Sequence, residues 1–174
     1  MRGQFLLIPL ASIAIVSPAH ATVYLSVEQA QRLLFPGAEF APDNRAITNE
    51  QERAIEKASG VSVRNRTLNV WRVSSGGWFI VDQVIGRHDN IPYALGLDAD
   101  GSVRGIEILE YRESYGGQIR EPLWRAQFIG KRHGAALALK KDIQNISGAT
   151  LSCRHIADGV KRLLATYAVV LAEH

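Results

Sequence analysis

Leu68-Asn69-Val70-Trp71-Arg72-Val73, Ser74-Ser75-Gly76-Gly77 and Trp78-Phe79-Ile80-Val81-Asp82-Gln83-Val84-Ile85 follow one another without a break. Two runs rich in β-branched and aromatic residues flank a four-residue turn of Ser and Gly, which is the pattern of an antiparallel hairpin. The rhythm continues downstream. Gly86-Arg87-His88-Asp89-Asn90 reads as a loop, 91–98 as a third strand, Asp98-Ala99-Asp100-Gly101 as a turn and 103–111 as a fourth strand. Successive strands joined by short turns predict an antiparallel meander.

Outside the meander the period changes to that of helices. At 26–35, Ser26 caps the start, Glu28 or Gln29 falls in the first turn, Ala30, Leu33 and Leu34 share a face, and Pro36-Gly37 stops the run. Residues 38–48 read as irregular. At 49–58 a polar helix has Glu50, Glu52 and Glu56 early, Lys57 late, and Gly60 beyond its end. Near the C-terminus, Ile156, Val160, Leu163, Leu164, Tyr167 and Leu171 lie on one helix face. The fold class predicted is α+β: an antiparallel sheet flanked by helices, in a single domain after a leader. The boundaries are 1–21 for a signal peptide, 22–66 for an N-terminal helical cover and 67–174 for the domain carrying the site, with 22–174 one globular unit.

The 174 residues suffice for one domain with a core, and 47% apolar against 21% charged residues is a globular rather than a disordered balance. Formal net charge is +3; removing residues 1–21 takes away Arg2 alone and leaves 19 basic against 17 acidic residues, or +2. The basic residues are scattered, so a nucleic-acid partner is not expected. Arg2, the apolar run from Phe5 through Val16 and Ala19-His20-Ala21 have the order of a signal peptide cleaved after Ala21. An uncleaved anchor is the competing reading, which Pro9 and Pro18 and the shortness of the run disfavour. The mature chain is therefore expected to be exported, in the periplasm, and not an integral membrane protein.

Cys153 is the single cysteine, so no internal disulfide forms. With His155 it invites a nucleophile reading, but side chains two apart on a helix diverge, which favours a buried apolar filler. His88 and His133 have no partners at metal-ligand spacing and read as surface histidines. Asp98-x-Asp100-Gly101 lacks the remaining ligands of a calcium loop and reads as a turn. No metal and no catalytic acid–base set is expected.

Ser147-Gly148-Ala149-Thr150-Leu151-Ser152 precedes the last helix. Ser147 is suited to cap it, and Gly148 lets another group approach the backbone. The unpaired N–H groups and positive dipole end of a helix start suit an anion such as phosphate. Thr150 puts a hydroxyl in the first turn, where a phosphate would be bound or esterified. Read on its own, such a tetrapeptide before a helix is usually only a cap.

This stretch resembles the flavinylation motif of the FMN-binding domain family, which includes flavin-carrying subunits of the Rnf complex and of the sodium-translocating NADH:quinone oxidoreductase. A second resemblance lies upstream. Glu113-Ser114-Tyr115-Gly116-Gly117 is similar to the family's Glu-Thr-Pro-Gly-Leu-Gly loop, with Tyr115 for Pro, Gly117 for Leu and Gln118 for the final Gly. Trp124, Gln127, Phe128, Gly130 and Lys131 match its Trp-x-x-Gln-Phe-x-Gly-Lys segment. Gln144 stands where the family motif usually has Asp. The resemblance covers roughly 67–172 and makes 67–174 an FMN-binding domain.

The resemblance implies FMN as cofactor, joined by phosphoester to Thr150, with Ser147, Gly148 and Ala149 about the phosphate. Glu113, Ser114, Tyr115 and Gly116 would meet the ring or ribityl chain, with Tyr115 able to stack on it. Lys131, Lys140 or Lys141 would neutralise phosphate charge. It implies two partners: a flavin transferase that uses FAD and a divalent metal, and a membrane or exported redox partner. The expected function is electron transfer, the protein holding and tuning the flavin rather than supplying its own acid and base. The alternative is a non-covalent flavin-binding or regulatory module without redox turnover.

Overall fold

The computed structural model describes residues 22–172. The leader expected at 1–21 lies outside them. In chain order the elements are β1 (Thr22–Val23), α1 (Val27–Leu34), β2 (Phe40–Pro42), β3 (Arg45–Ala46), α2 (Asn49–Ser59), β4 (Thr67–Val73), β5 (Trp78–Ile85), β6 (Asn90–Leu97), β7 (Val103–Ile108) and β8 (Glu110–Tyr111). A short 3-10 turn (Gly117–Arg120), α3 (Pro122–Ala126), α4 (Thr150–Thr166) and a π turn (Tyr167–Leu171) complete the chain.

The meander forms as predicted. Strands β4, β5, β6 and β7 pair antiparallel in sequence order, with Val70 opposite Ile80 and Leu95 opposite both Ile80 and Ile106. Alternation then sorts side chains to two faces. Leu68, Val70, Ile80, Tyr93, Leu95 and Ile106 join Ile156, Val160 and Leu164 of α4 in the larger core. Val73, Phe79 and Ala94 face Ala30, Leu34 and Phe35 at the end of α1 in a smaller one. Each fully buried Leu, Ile or Phe in these layers stabilises the fold by about 1.5–3 kcal/mol. The fold is α+β, with an antiparallel sheet between helices.

Both N-terminal helices start on reciprocal caps. Gln29 N–H donates to Ser26 Oγ and Ser26 N–H to Gln29 Oε1; Thr48 and Gln51 repeat the arrangement at α2. Gly60 ends α2 at φ +69°.

Three expectations need correction. Residues 38–48 are not all irregular: β2 and β3 add to the edge of β4, and Phe40 packs edge-on between Phe35 and Phe79 at 6.1 and 5.8 Å. Strands of three and two residues are too short for periodicity to reveal. The span 103–111 is not one strand. Leu109 N–H still bonds the Pro92 carbonyl of β6 at 2.9 Å, but its own carbonyl accepts from Tyr24 and Leu25 N–H at 3.0 and 3.3 Å, and beyond it β8 pairs with β1. Ser147 does not cap the last helix. Ala149 occupies that position, and no side chain bonds the helix start.

Candidate functional site

Three segments distant in sequence meet beside the start of α4. The turn after β5 brings Arg87 and His88, the loop after β8 brings Glu113, Ser114 and Tyr115, and the helix start brings Gly148, Ala149, Thr150, Leu151 and Ser152. Together they line a cleft of about 450 Å³, within the usual range for a cofactor site.

The loop and the helix are locked to each other behind the cleft. Buried Tyr111 donates its hydroxyl proton to the Tyr115 carbonyl at 2.5 Å. Its oxygen then accepts from the Ser152 hydroxyl at 3.1 Å. Gly116, at φ +91°, lies against Ala149; a Cβ there would collide with the Ala149 Cβ and stand 2.7 Å from the Tyr111 oxygen. Only glycine allows both that backbone conformation and that approach.

A second clasp fixes the chain that leads into the helix. Trp124 Nε1–H donates to the Gln144 carbonyl at 2.8 Å, and Gln144 N–H donates to Gln127 Oε1 at 2.6 Å. Gln127 in turn donates to the Trp124 carbonyl at 2.9 Å, while Phe128 is fully buried behind it. Residues 124–128 and 144–150 are therefore parts of one support. Gly130 and Lys131 tie it to the sheet, for Gly130 N–H bonds the Val103 carbonyl and Val103 N–H the Lys131 carbonyl.

The helix start is open to the cleft. The first backbone bond recorded there is Cys153 N–H to the Ala149 carbonyl at 3.0 Å. By helix geometry the N–H groups of Thr150, Leu151 and Ser152 have no acceptor within the helix. Gly148, at φ +79°, turns the chain into this start. A Cβ on it would meet only the Tyr115 Cβ, at 3.9 Å, so the space beside it is clear. The Thr150 hydroxyl has no hydrogen-bond partner among the described residues. Three free amides, the positive helix end, a clear approach and a free hydroxyl fit a phosphate-bearing group such as FMN.

Glu113, which lines the cleft, also bonds the loop opposite it. Its carboxylate accepts the backbone N–H groups of His88 at 2.7 Å and Asp89 at 3.2 Å. Burial works to raise this carboxyl. The N–H groups of His88, Asp89 and Arg87 and the charge of His88 outweigh it and hold the group below the usual carboxylate range. Glu113 thus anchors one cleft wall to another.

Of the residues singled out from sequence, Gly148, Ala149, Thr150, Glu113, Ser114 and Tyr115 come together in the cleft. Gly116 packs behind it. Ser147 is exposed and is not among the lining residues. Lys131 does not line it either; its Nζ lies 3.9 Å from an Asp142 oxygen. Lys140 and Lys141 also lie outside it. Arg87 supplies positive charge at the cleft and His88 lines it beside Arg87; sequence reading left both as loop surface. Their signal was the strand end at Ile85; that this end reaches the start of α4 is a fact of the tertiary fold. Cys153 is fully buried, and burial pushes its thiol up, away from the reactive form.

An antiparallel sheet that presents an open helix start beside a ligand-sized cleft defines a cofactor-holding domain. Residues 86–165 match the family model described as the FMN-binding domain. They form an FMN-binding domain, and FMN is its cofactor. The fold is shared with a crystal structure from Parabacteroides distasonis ATCC 8503, that of one subunit of the Na(+)-translocating NADH-quinone reductase. The TM-score is 0.54 and the identity 16%, over 78% of this chain and 80% of that one. A comparison with curated proteins finds no match. Among the described residues, no helix is long and apolar enough to cross a membrane.

Proposed function

We propose that this chain is an exported electron carrier that holds FMN through a phosphate ester on Thr150. The carrying observation is the free Thr150 hydroxyl at an uncapped helix start within the cleft. FMN, when bound, supplies the redox chemistry through its isoalloxazine ring. The chain's own residues do the rest. The amides of 150–152 bind phosphate oxygens, and Arg87 adds positive charge. Tyr111, Gly116 and the Trp124–Gln127 clasp orient the two walls. Tyr115 is 74% exposed and offers a ring to stack on the flavin.

Attachment would need a separate transferase acting on FAD, with this chain as its substrate. Export rests on the leader-like residues 1–21, and an ester link would retain the cofactor where free flavin is lost by diffusion. The redox partners would be a membrane or exported donor and acceptor, as suits a fold shared with part of a quinone reductase. Mass spectrometry of protein made with a flavin transferase should show one FMN on the Thr150 peptide. An unmodified Thr150 peptide from such protein rejects the ester.

A second reading has its own observation. Only the backbone of Gln144 enters the support. Its side chain has no recorded partner and is left for another protein to read. A transferase that reads a carboxylate at this position would find an amide, and FMN would then be held non-covalently. Acid precipitation separates the two, since ester-linked flavin stays in the pellet and free flavin enters the supernatant.

A further inference from the structure

Away from the flavin cleft, two cavities of about 350 and 450 Å³ meet at Arg162. They lie where the chain after α2 passes α4 and the end of β5, and they share Arg64, Val84, Ile85 and Arg162 as walls. Arg162 is 8% exposed. Its Nη2 donates to Asp82 Oδ2 at 2.5 Å, and fully buried Tyr93 donates to the same oxygen at 3.0 Å. The other recorded contact of the guanidinium is Nη1 to the Ser62 carbonyl at 3.4 Å, at the weak end of hydrogen bonding.

A guanidinium has five N–H donors. Two contacts, one of them weak, leave N–H groups of the guanidinium at the cavity wall without an acceptor among the described residues and open to a ligand. Arg64, on the same wall, has no acidic partner among the described residues. Lys161 and Asp158 also line the smaller cavity, as does His155, whose Nδ1 is bonded to the Ile85 carbonyl. With Arg162 and Asp82 cancelling, and Lys161 offset by Asp158, Arg64 leaves one net positive charge. Beyond the cations the larger cavity has apolar walls in Ile47, Val63, Leu68 and Leu163.

We propose that this double cavity binds a small organic carboxylate. Arg162 and Arg64 hold its head, and its apolar body lies against Ile47, Val63, Leu68 and Leu163. One net positive charge suits a monoanion, and the planar fork of an arginine matches two carboxylate oxygens. None of the residues that line the flavin cleft lines these cavities, so the proposal stands or falls independently of the flavin ester.

The test titrates hexanoate, and hexanamide as its uncharged counterpart, into flavin-loaded, nitrogen-15-labelled protein followed by NMR. Hexanoate should bind with a Kd on the order of 1 mM. Its shifts should centre on 62–65, 82–84 and 161–163, with hexanamide giving none. Arg64→Gln touches no recorded ion pair, so it should fold normally, and it should weaken hexanoate about tenfold. Shifts centred on 113–116 and 148–152 would overturn the proposal. So would equal binding of hexanamide, full affinity in Arg64→Gln, or no response up to about ten times that Kd.

Discussion

The Tyr111 hydroxyl and the Tyr115 carbonyl lie 2.5 Å apart, and this bond joins the cleft's loop to the strand beneath it. Ser152 extends the link to α4. Tyr111→Phe removes the shared oxygen and leaves the Ser152 hydroxyl, which is buried, without its partner. Stability should fall by about 1 kcal/mol. The larger effect should be on the loop, whose amides should exchange with solvent faster, and the flavin should be more readily reduced by external dithionite. A variant with wild-type loop exchange would show that the bond does not hold the loop.

Gly116 and Gly117 are adjacent in sequence but opposite in what they tolerate. A Cβ on Gly116 collides with Ala149 at positive φ, whereas a Cβ on Gly117 meets nothing within 4 Å. Gly116→Ala should therefore cost about 2–4 kcal/mol from overpacking and backbone strain together. It should also lower flavin content by displacing the helix start. Gly117→Ala should melt within a degree or two of wild type, a shift of about 0.5 kcal/mol or less. Thermal melts beside flavin-to-protein absorbance ratios check both.

What could be read from the chain, and what could not, follows from the range of each cause. The hairpin at 68–85 is set by neighbours in sequence, so alternation and a Ser-Gly turn revealed it. The caps at Ser26 and Gly60 are equally local. β2 and β3 exist because β4 offers them an edge, which no local pattern reports. The two glycine-bearing stretches were legible as motifs. Their physical union through Tyr111, Trp124 and Gln127 was not, because those bonds cross 20 residues at Trp124–Gln144 and 41 at Tyr111–Ser152. The same limit hid Arg87 and His88. Lys131 looked apt by charge, yet its partner Asp142 is set by the path of the chain, not by its type.

Glu113 should make stability depend on pH in acid. Its carboxyl is held below the usual value in the folded state, and a group depressed by folding contributes stability above its unfolded pKa of about 4.3 that is lost as pH falls through the folded value. Urea midpoints should therefore decline as the pH is lowered below about 5, and Glu113→Gln should flatten part of that decline. An identical acid profile for the two proteins would mean that its bonds to His88 and Asp89 contribute nothing to folding.

Gly148 decides between two accounts of how the cleft would receive the proposed phosphate. At φ +79° an L side chain is strained, while the space beside it is clear as far as Tyr115. If backbone conformation alone matters, the best replacement is Asn, which tolerates the left-handed region. Ala should then lose more flavin than Asn, following a stability cost of about 1–2 kcal/mol. If the phosphate needs the open space, the order reverses. Asn keeps the backbone turn but fills the approach to the amides of 150–152, so it should load less flavin than Ala despite melting higher. Gly148→Val combines both faults and should lose flavin and stability together. The open space over a Gly148 Cβ and the uncapped helix start favour the second order. Measuring flavin absorbance per protein and Tm for Ala, Asn and Val variants gives the ranking. A Gly148→Asn protein that is fully flavinylated would reject the need for space, even with the ester on Thr150 intact.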